Sequence, residues 1–349
     1  NIPPFLRTKY YPTVDTLYPE KELFCIPCFL PGTNVMTEHG YASIENVKIG
    51  DHVIGSELGK VTKTFKTPFN GEMLNINCSF LGDISSTKEH PFKIAIKKMV
   101  EVGINSNRKG PDKRIRRIHP QIVGWKIAKE LKNGDYLVIP KIKLEEKTEI
   151  LNFPIFDSKN LGRKARNLSS LELNHEIAEI LGLYMAEGDC VKSRKKLANV
   201  RFNFGSHELP LVEKVRRFAN SLNLNVTEDI SGSSRRITIC SKVFAEWINE
   251  YIGTGSRKKH LSYSFFSWKN SLVEAFINGL LVGDGWQDKF DNVKTIGLVN
   301  KSVVQGIQLA LLLKLGVPSS FFIQNCVNAE IDGRKLKDTI CYSVRWAKN

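Results

Sequence analysis

The feature that most constrains this chain is an internal repeat in its second half. One copy begins with Ile180–Gly188, ILGLYMAEG, and the other with Ile277–Gly285, INGLLVGDG. Each motif places an acid directly before its last glycine, and these two acids, Glu187 and Asp284, are 97 residues apart (284 − 187). A unit that occurs twice in this way predicts one domain built from two similar halves about a pseudo-twofold axis.

The elements that follow the two motifs agree in kind and in order. Each motif is followed by a β-rich run, then by helical apolar spacing, and then by a Thr-Ile-Cys sequence. The matched pairs are Val200–Phe204 with Lys294–Val299, Val212–Asn225 with Val303–Gly316, and Thr238–Cys240 with Thr339–Cys341. Four agreements in order predict a mixed α/β domain whose halves share one topology.

Both motifs contain small residues four positions apart, Gly182 and Ala186 in one and Gly279 and Gly283 in the other. Positions i and i+4 of a helix lie on the same face. Two faces lined by small residues let the backbones of two helices approach closely. We therefore expect the motifs to be helices that pack against each other at these four positions.

This packing would bring Glu187 and Asp284 together at the carboxyl ends of the two helices. We expect Gly188 and Gly285, which follow the acids, to be left-handed helix caps. Neighbouring carboxylates repel unless a cation lies between them, and oxygen ligands favour Mg²⁺ or a similar ion, which can activate water. The alternative is that the acids only accept local hydrogen bonds, but at a helix C-terminus each would cost about 0.3–1 kcal/mol.

The two motifs resemble those of the LAGLIDADG homing endonucleases. The resemblance implies a monomer of two pseudo-symmetric αββαββα halves, whose sheets form a basic saddle over double-stranded DNA with a long pseudo-palindromic site. It implies that Glu187 and Asp284 are the metal ligands of a double-strand cut that leaves short 3′ overhangs. It also implies a catalytic lysine, best matched by Lys259, although the proline usual in that segment is absent. The alternative for Lys259 is a contact to the DNA backbone without a catalytic part.

From Cys28 to about Ile142 the chain has a different, β-rich pattern. Short β-rich runs alternate with turn signals, which predicts an all-β region. These runs are Thr33–Thr37, Gly50–Ile54, Met73–Ile76 and Tyr136–Ile139. Between them lies Lys97–Arg117, which has eight bases and two acids and is expected to form a loop or a ribbon. It is either a solvated face or an arm that contacts phosphates.

Three segments of this β-rich region resemble the splicing blocks of inteins. Cys28–Thr37 with Lys48–Val53 resembles the first block, and Thr87–Phe92 resembles the second. Trp125–Tyr136 fits the strand pair that often ends the first splicing half. The resemblance implies the Hedgehog/intein, or Hint, fold.

The same resemblance gives three residues a role in splicing. Cys28 would attack the carbonyl of Pro27 to form a thioester, which suits a thiol whose usual pKa is about 8.5. His90 would protonate the departing nitrogen and Thr87 would hold that amide. The alternative for His90 is a hairpin histidine that bonds to the backbone.

These interpretations divide the chain into four parts. Residues 1–27 are expected to be a remnant of the host protein, the N-extein, with a faint resemblance to phage terminase ATPases. Residues 28–142 are the first splicing half, 143–170 a polar linker, and 171–349 the endonuclease domain.

We expect the second copy of the repeat to be incomplete at its C-terminal end. The counterparts of Lys259 and of the helix expected over Lys242–Tyr251 would lie at or beyond Asn349. The closing His-Asn pair of an intein and its C-terminal splicing blocks are not found, so this chain is not expected to splice by itself.

Composition limits the class of protein and of partner. The 51 Lys and Arg against 36 Asp and Glu give a net charge of +15, which favours a polyanion such as DNA, although a basic surface can also serve solubility. An apolar content of 42% is too high for a disordered chain. No apolar run approaches the roughly 18 residues of a membrane span, and no signal-peptide pattern is found. Seven scattered cysteines argue against a disulfide scaffold, so a reducing, cytoplasmic location is expected.

The favoured interpretation is an intein-embedded homing endonuclease that uses Mg²⁺ or a similar cation, with host exteins as its protein partners. One alternative is a DNA-binding protein with a degenerate LAGLIDADG fold that does not cleave. A second alternative is a Hint domain that cleaves itself without ligation. The sequence does not reveal the DNA target or the host protein, because the side chains that read bases follow no decodable rule here.

Overall fold

A computed structural model describes most of the chain after residue 27. The described residues are 28–37, 40–55, 58–78, 82–104, 114–138, 145–157, 166–262, 264–288, 292–327, 330–331, 334–335 and 337–347. The expected N-extein and Pro27 lie outside them. The chain divides into two compact units, one of residues 1–35, 43–78 and 83–141, and one of residues 36–42, 79–82 and 142–349.

The described elements before residue 142 are short strands, two long strands and two 3₁₀ turns. The strands are β1 (Asn34–Thr37), β2 (Gly40–Ser43), β3 (His52–Ile54), β4 (Leu58–Lys60), β5 (Met73–Cys78), β6 (Gly82–Thr87), β7 (Pro91–Ile104), β8 (Arg114–Ile127) and β9 (Tyr136–Leu137). They pair in the orders β2-β1-β3-β4, β5-β6 and β8-β7-β9. Strands β1, β3, β5 and β9 overlap the four β-rich runs that the sequence predicts.

The longest feature of the first unit is the antiparallel ribbon of β7 and β8, with 14 residues in each strand. Its register shifts twice, between Ile96 and Lys97 and between Glu101 and Gly103. The basic stretch 97–117 therefore includes paired strand residues, as the ribbon interpretation predicts, while residues 105–113 lie outside the described part.

The second unit contains all of the described α-helices. They are α1 (His175–Glu187), α2 (Leu209–Ser221), α3 (Lys242–Tyr251), α4 (Asn270–Asp284) and α5 (Lys301–Leu313). Its strands are β10 (Ile150–Leu151), β11 (Leu171–Glu172), β12 (Gly188–Ser193), β13 (Lys196–Gly205), β14 (Val226–Ser231), β15 (Ser234–Ile239), β16 (Gly285–Gln287), β17 (Val293–Leu298), β18 (Ser320–Cys326), β19 (Glu330–Ile331), β20 (Arg334–Lys335) and β21 (Thr339–Ala347). None of the described helices is both long and apolar enough to cross a membrane.

The repeat is present in three dimensions. The first copy runs α1, β12, β13, α2, β14, β15, α3, and its sheet has the order β12-β13-β15-β14. The second copy runs α4, β16, β17, α5, β18, β21, and its sheet has the order β16-β17-β21-β18. Both sheets place their first, second, fourth and third strands side by side, so the predicted α/β repeat is confirmed.

One of the predicted correspondences is wrong. In the first sheet the motif glycine Gly188 pairs with Phe202, which pairs with Ile237 on the next strand. In the second sheet Gly285 pairs with Ile296, which pairs with Val344. Val344 therefore corresponds to Ile237, and Thr339–Cys341 does not correspond to Thr238–Cys240. The physical reason is that β19 and β20 lengthen the connection between β18 and β21, whereas a short turn joins β14 to β15.

The segment expected to be a polar linker, 143–170, is part of the second unit where it is described. Strand β10 pairs with β11. Leu151 is 2% exposed, and the ring of Phe153 lies 4.8 Å from that of Trp247. Glu149 accepts a hydrogen bond from the hydroxyl of Tyr251 at 3.0 Å. A few apolar side chains in a polar stretch thus tie the segment to the first copy.

Candidate active site

The two motif helices touch through their backbones. A Cβ atom built on Gly182 would lie 1.9 Å from the carbonyl oxygen of Phe276, and one on Gly279 would lie 2.0 Å from that of Glu179. Any side chain at either position would overlap the other helix. The two contacts are equivalent, because each glycine meets the residue three positions before the other glycine. This is the close approach that the small residues predict.

The contact continues to the last turn of both helices. A Cβ on Gly283 would lie 2.4 Å from the Cβ of Ala186 and 3.2 Å from the Cγ of Glu187. Helix α1 ends at Glu187 and α4 ends at Asp284. Both acids therefore lie where the helix pair ends, as predicted.

The glycines that follow the acids are not left-handed caps, and that prediction is wrong. Gly188 has φ −85° and Gly285 has φ −111°, so both are extended and begin the strands β12 and β16. A Cβ on Gly188 would lie 2.0 Å from the ring of Tyr184, and one on Gly285 would lie 2.2 Å from the carbonyl oxygen of Leu281. Glycine is needed here for close approach to the helix and not for a positive φ.

The two acids lie in an environment that disfavours their charge. Burial, with a smaller contribution from the charges of Asp284 and Glu208, raises the pKa of Glu187 to about 7. Burial also raises the pKa of Asp284. Lys259 partly offsets both effects. The site thus carries excess negative potential when both acids are ionised.

Lys259 lies inside the site and not on the surface. Its side chain is buried, and its Nζ donates to the carbonyl oxygens of Tyr184 at 2.7 Å and Met185 at 2.9 Å. A cation there complements the helix dipole at the end of α1. Burial lowers the pKa of Lys259 to about 8, against the opposing effects of Asp284 and other neighbouring acids. Its burial favours a role inside the site, and the alternative of a contact to the DNA backbone stays a prediction.

Tyr184 is a site residue that the sequence analysis missed. Its hydroxyl donates to the carbonyl oxygen of Gly253 at 2.9 Å, and its ring centroid lies 4.9 Å from the Nζ of Lys259. Gly253 has φ +92°, which only glycine adopts readily. Tyr184 thereby fixes the turn that leads to Lys259. The sequence feature that could have indicated a role for Tyr184 is its aromatic side chain, at the position where the second motif has Leu281.

Asp189 was also missed. It accepts a hydrogen bond from Thr254 Oγ1 at 2.6 Å, lies 3.5 Å from a guanidinium nitrogen of Arg201, and helps to keep Lys259 charged. The sequence feature that could have indicated a role for Asp189 is its position as a second acid, two residues after Glu187.

The chemistry of the two motif acids fits a divalent cation. Carboxylate oxygens are hard donors, and a cation between Glu187 and Asp284 would offset the cost of their desolvation, which is the main cause of their raised pKa values. Within the described parts of the chain, no group of three or more His, Cys, Asp or Glu side chains is arranged to hold a metal ion. Any further ligands would have to be water or substrate.

The three predicted splicing residues meet in the first unit. The backbone N–H of Cys28 donates to Thr87 Oγ1 at 3.3 Å, and the backbone N–H of Thr87 donates to the carbonyl oxygen of Cys28 at 3.1 Å. The nitrogen of Cys28 belongs to the peptide bond that the predicted reaction would break. Burial raises the pKa of the Cys28 thiol.

His90 lies beside Cys28 in an apolar setting. Its ring centroid is 4.2 Å from that of Phe29 and 5.0 Å from that of Phe92. Burial lowers the pKa of His90 to about 4, and its buried Nδ1 has no hydrogen-bond partner in the part of the chain that the structure describes. The alternative of a histidine satisfied by the backbone does not hold for this atom.

Residues 174–253, which contain the first copy, match the family model of the LAGLIDADG-like domain. The relatives found by sequence are longer proteins, and this chain matches less than a third of the length of each of the three named here. The chain is 25% identical over 347 residues to the ATP-dependent DNA helicase Hel308 of Thermococcus kodakarensis, covering 89% of this chain and 29% of the helicase. It is 25% identical over 209 residues to the replication factor C small subunit of Methanocaldococcus jannaschii, covering 56% of this chain and 11% of that protein. It is 26% identical over 268 residues to the SufBD family iron-sulfur cluster assembly protein Rv1461 of Mycobacterium tuberculosis, covering 72% and 28%.

Two solved structures share part of the fold at low similarity. A variant of the homing endonuclease I-DmoI is 16% identical with a TM-score of 0.36, covering 50% of this chain and 88% of that chain. Full-length DUF199/WhiA from Thermatoga maritima is 14% identical with a TM-score of 0.33, covering 50% of this chain and 51% of that chain. At these scores no residue role transfers to this chain.

Proposed function

We propose that the second unit is a homing endonuclease that binds double-stranded DNA and cuts both strands with the help of Mg²⁺ or a similar cation. The observation that carries the proposal is the pair of acids at the ends of two helices in backbone contact, the half-buried Glu187 and the more exposed Asp284. Such an arrangement keeps two carboxylates together at an electrostatic cost, which a cation offsets. A purely structural role would not need either acid.

In the proposed reaction the chain's own residues position the reacting groups. Glu187 and Asp284 would hold the cation, which supplies an activated water and stabilises charge on the phosphate. Lys259 would place a fixed positive charge close to the developing negative charge, because Nζ is held by the last carbonyls of α1. Tyr184 would be a positioning residue that holds the turn before Lys259.

The two sheets of the repeat would provide the DNA-binding surface. Along β13, β15 and β21 the buried residues alternate with residues on the opposite face. That opposite face carries Arg201, Arg236 and Arg345. Together with the net charge of +15, these guanidinium groups suit a phosphate backbone. Because one chain supplies both acids, the proposed enzyme acts as a monomer.

Cleavage selection from DNA tests this proposal. A randomised duplex library is incubated with the whole chain and Mg²⁺, and the cut ends are captured and sequenced over repeated rounds. The expected result is enrichment of one long site, cut with a short 3′ overhang, only when Mg²⁺ is present. Recovery of bound but uncut DNA would instead support the alternative of a non-cleaving DNA-binding protein.

We further infer that the first unit is the splicing half of an intein, with host segments as its exteins. The hydrogen bonds between Cys28 and Thr87 and the partnerless nitrogen of His90 support this role. The relatives also support it, because a helicase, a replication factor and an iron-sulfur assembly protein differ in function, and each matches this chain over a minor part of its length. A segment that occurs in otherwise unrelated proteins behaves as an insertion.

Hydroxylamine treatment tests the splicing half separately. Thioester formation at Cys28 predicts that hydroxylamine at neutral pH releases the residues before Cys28, because under these conditions it cleaves thioesters much faster than peptide bonds. The release is expected to disappear in Cys28→Ala and to slow in Thr87→Ala and His90→Gln. Equal release from the wild type and from Cys28→Ala would contradict the proposal, and so would no release from the wild type.

A further inference from the structure

Lys259 lies in the connection that follows the first copy, but its main chain is held by a helix of the second copy. This connection joins the end of α3 to the start of α4. The side-chain amide of Asn300, the residue directly before α5, donates from Nδ2 to the carbonyl oxygen of Lys259 at 2.6 Å. The two residues are 41 positions apart, so the hydrogen bond is a tertiary contact between the copies and not part of a local turn.

Helix α5 meets the same connection at a second point. A Cβ atom built on Gly306 would lie 2.4 Å from Cδ1 of Leu261, whose side chain is buried two residues after Lys259. The other end of Lys259, its Nζ, is held by the last carbonyls of α1. The second copy therefore holds the main chain of Lys259, while the first copy holds its amino group.

Asn300 makes two hydrogen bonds with two different atoms of its side chain. Its Oδ1 accepts from the backbone N–H of Val303 at 3.3 Å, which caps the N-terminus of α5. Its Nδ2 makes the bond to Lys259. A helix cap needs only the oxygen, and serine or aspartate supplies it about as well as asparagine. Capping alone therefore does not account for an amide at this position.

The repeat does not account for the amide either. In the first copy the residue directly before α2 is Glu208, and its side chain does not cap that helix. Its Oε2 instead accepts from the backbone N–H of Gly205 at 2.7 Å. The donor is thus particular to the copy that contacts Lys259.

We propose that Asn300 is a positioning residue that sets the place of Lys259 in the candidate active site. By holding the carbonyl oxygen of Lys259, Nδ2 fixes the point from which the lysine side chain extends to the end of α1, where Glu187 lies. The inference rests on the proposed role of Lys259 in DNA cleavage. It adds that this lysine is placed jointly by both copies of the repeat.

Acetylation of lysines tests the proposal without DNA. The whole chain is treated briefly with acetic anhydride, and the rate at each lysine is followed by mass spectrometry of chymotryptic peptides. In the wild type the exposed Lys258 should react fast and the buried Lys259 slowly. Asn300→Ser keeps a cap and loses the donor, so it should raise the rate at Lys259 by about 3- to 10-fold, the factor that corresponds to one hydrogen bond.

Two controls separate positioning from a loss of structure. Lys314 is buried at the other end of α5 and should stay protected in Asn300→Ser. Asn174→Ser changes the asparagine that caps α1 and should leave Lys259 protected. Equal rates at Lys259 in the wild type and in Asn300→Ser would overturn the proposal. A parallel rise at Lys314 would also overturn it, because Asn300 would then serve only to hold α5.

DNA cleavage gives a second measurement. On a selected DNA site, Asn300→Ser should lower the single-turnover rate by about 3- to 10-fold and leave the Kd for DNA within about twofold, since Asn300 is not placed on the DNA-binding face. Weaker DNA binding with an unchanged rate would contradict a positioning role. A wild type that cuts no DNA would refute the proposed function, whereas the acetylation result does not depend on cleavage.

Discussion

Burial and three charged neighbours, Asp284, Glu208 and Lys259, act on the ionisation of Glu187 in different directions. Burial and Asp284 favour the protonated form, while Lys259 favours the carboxylate, and the result is a pKa of about 7 without a metal. A proton and a metal cation therefore compete for the carboxylate of Glu187. This competition connects the two acids to a pH dependence that can be measured without any DNA.

The first prediction concerns stability against pH in EDTA. Because the pKa of Glu187 is raised from about 4.5 to about 7 on folding, the native state keeps a proton that the unfolded state has lost, and stability falls as the pH rises between these values. We expect the Tm of the second unit to be lower at pH 8 than at pH 5.

Glu187→Gln should reduce this difference, since the glutamine does not titrate, and Mg²⁺ should raise the Tm of the wild type at pH 8. Glu176→Gln, an exposed change in the first turn of α1, is the matched control and should behave as the wild type. An unchanged pH dependence of the Tm in Glu187→Gln would contradict the assignment of this dependence to the titration of Glu187.

The second prediction concerns Tyr184. Tyr184→Phe removes the donor to the carbonyl oxygen of Gly253 and keeps the ring next to Lys259. A buried carbonyl left without its partner costs about 1–3 kcal/mol, which urea unfolding followed in the second unit would measure. Tyr184→Leu, which copies the second motif, also removes the ring and should cost more. A Phe variant as stable as the wild type would show that the hydrogen bond does not fix the turn.

At the scale of single residues, the sequence predicts those features of the site that depend on residue type alone. The positions of Glu187 and Asp284 follow from helical periodicity and an acid at a fixed place. The conformation of Gly188 could not be predicted in this way. A glycine can be needed either for a positive φ or for close approach to another group, and only the position of the Tyr184 ring in the structure distinguishes the two. The partners of Lys259 could not be predicted either, since they are backbone oxygens of a helix 74 and 75 residues away.

At the scale of elements, the pairing of α1 with α4 holds the site together. The third prediction is that Gly182→Ala and Gly279→Ala both destabilise the second unit by about 1–3 kcal/mol or more, because each added methyl group overlaps a carbonyl oxygen of the other helix. Urea unfolding measures the loss.

Gly297→Ala is the matched control for this pair. Its Cβ would meet only the Cβ of Ser343, at 3.9 Å, and it lies in the same unit. Equal destabilisation by all three changes would point to a general intolerance of alanine and not to the helix contact.

The repeat, the order of its elements along the chain and helix α3 could be predicted from periodicity and motif spacing. The register of the last strand could not. Thr238–Cys240 and Thr339–Cys341 share letters, but the extension formed by β19 and β20 displaces the true counterparts, and an insertion of this kind is visible only once strands are paired. The polar composition of segment 143–170 predicts a linker. Buried Leu151 and Phe153, the β10–β11 pairing and the hydrogen bond from Tyr251 to Glu149 instead attach its described part to the second unit.

At the scale of the whole molecule, the two units carry two separate sets of reactive residues. The fourth prediction is that the two proposed activities are independent. Cys28→Ala should abolish release by hydroxylamine and leave cleavage of DNA within about twofold of the wild type, since the motif acids belong to the other unit. Asp284→Asn should have the opposite pattern. Loss of both activities in either variant would contradict two separate sites.

The central claim is that Glu187 and Asp284 together support metal-dependent cleavage of both DNA strands. The measurement is conversion of a supercoiled plasmid that carries the selected site, by wild type, Glu187→Gln and Asp284→Asn, with both strand ends sequenced. The prediction is linear product with a short 3′ overhang from the wild type in Mg²⁺, none in EDTA, and at least about a 100-fold loss of double-strand cleavage in each variant. Cleavage by either variant at the rate of the wild type, or cleavage in EDTA, would contradict it.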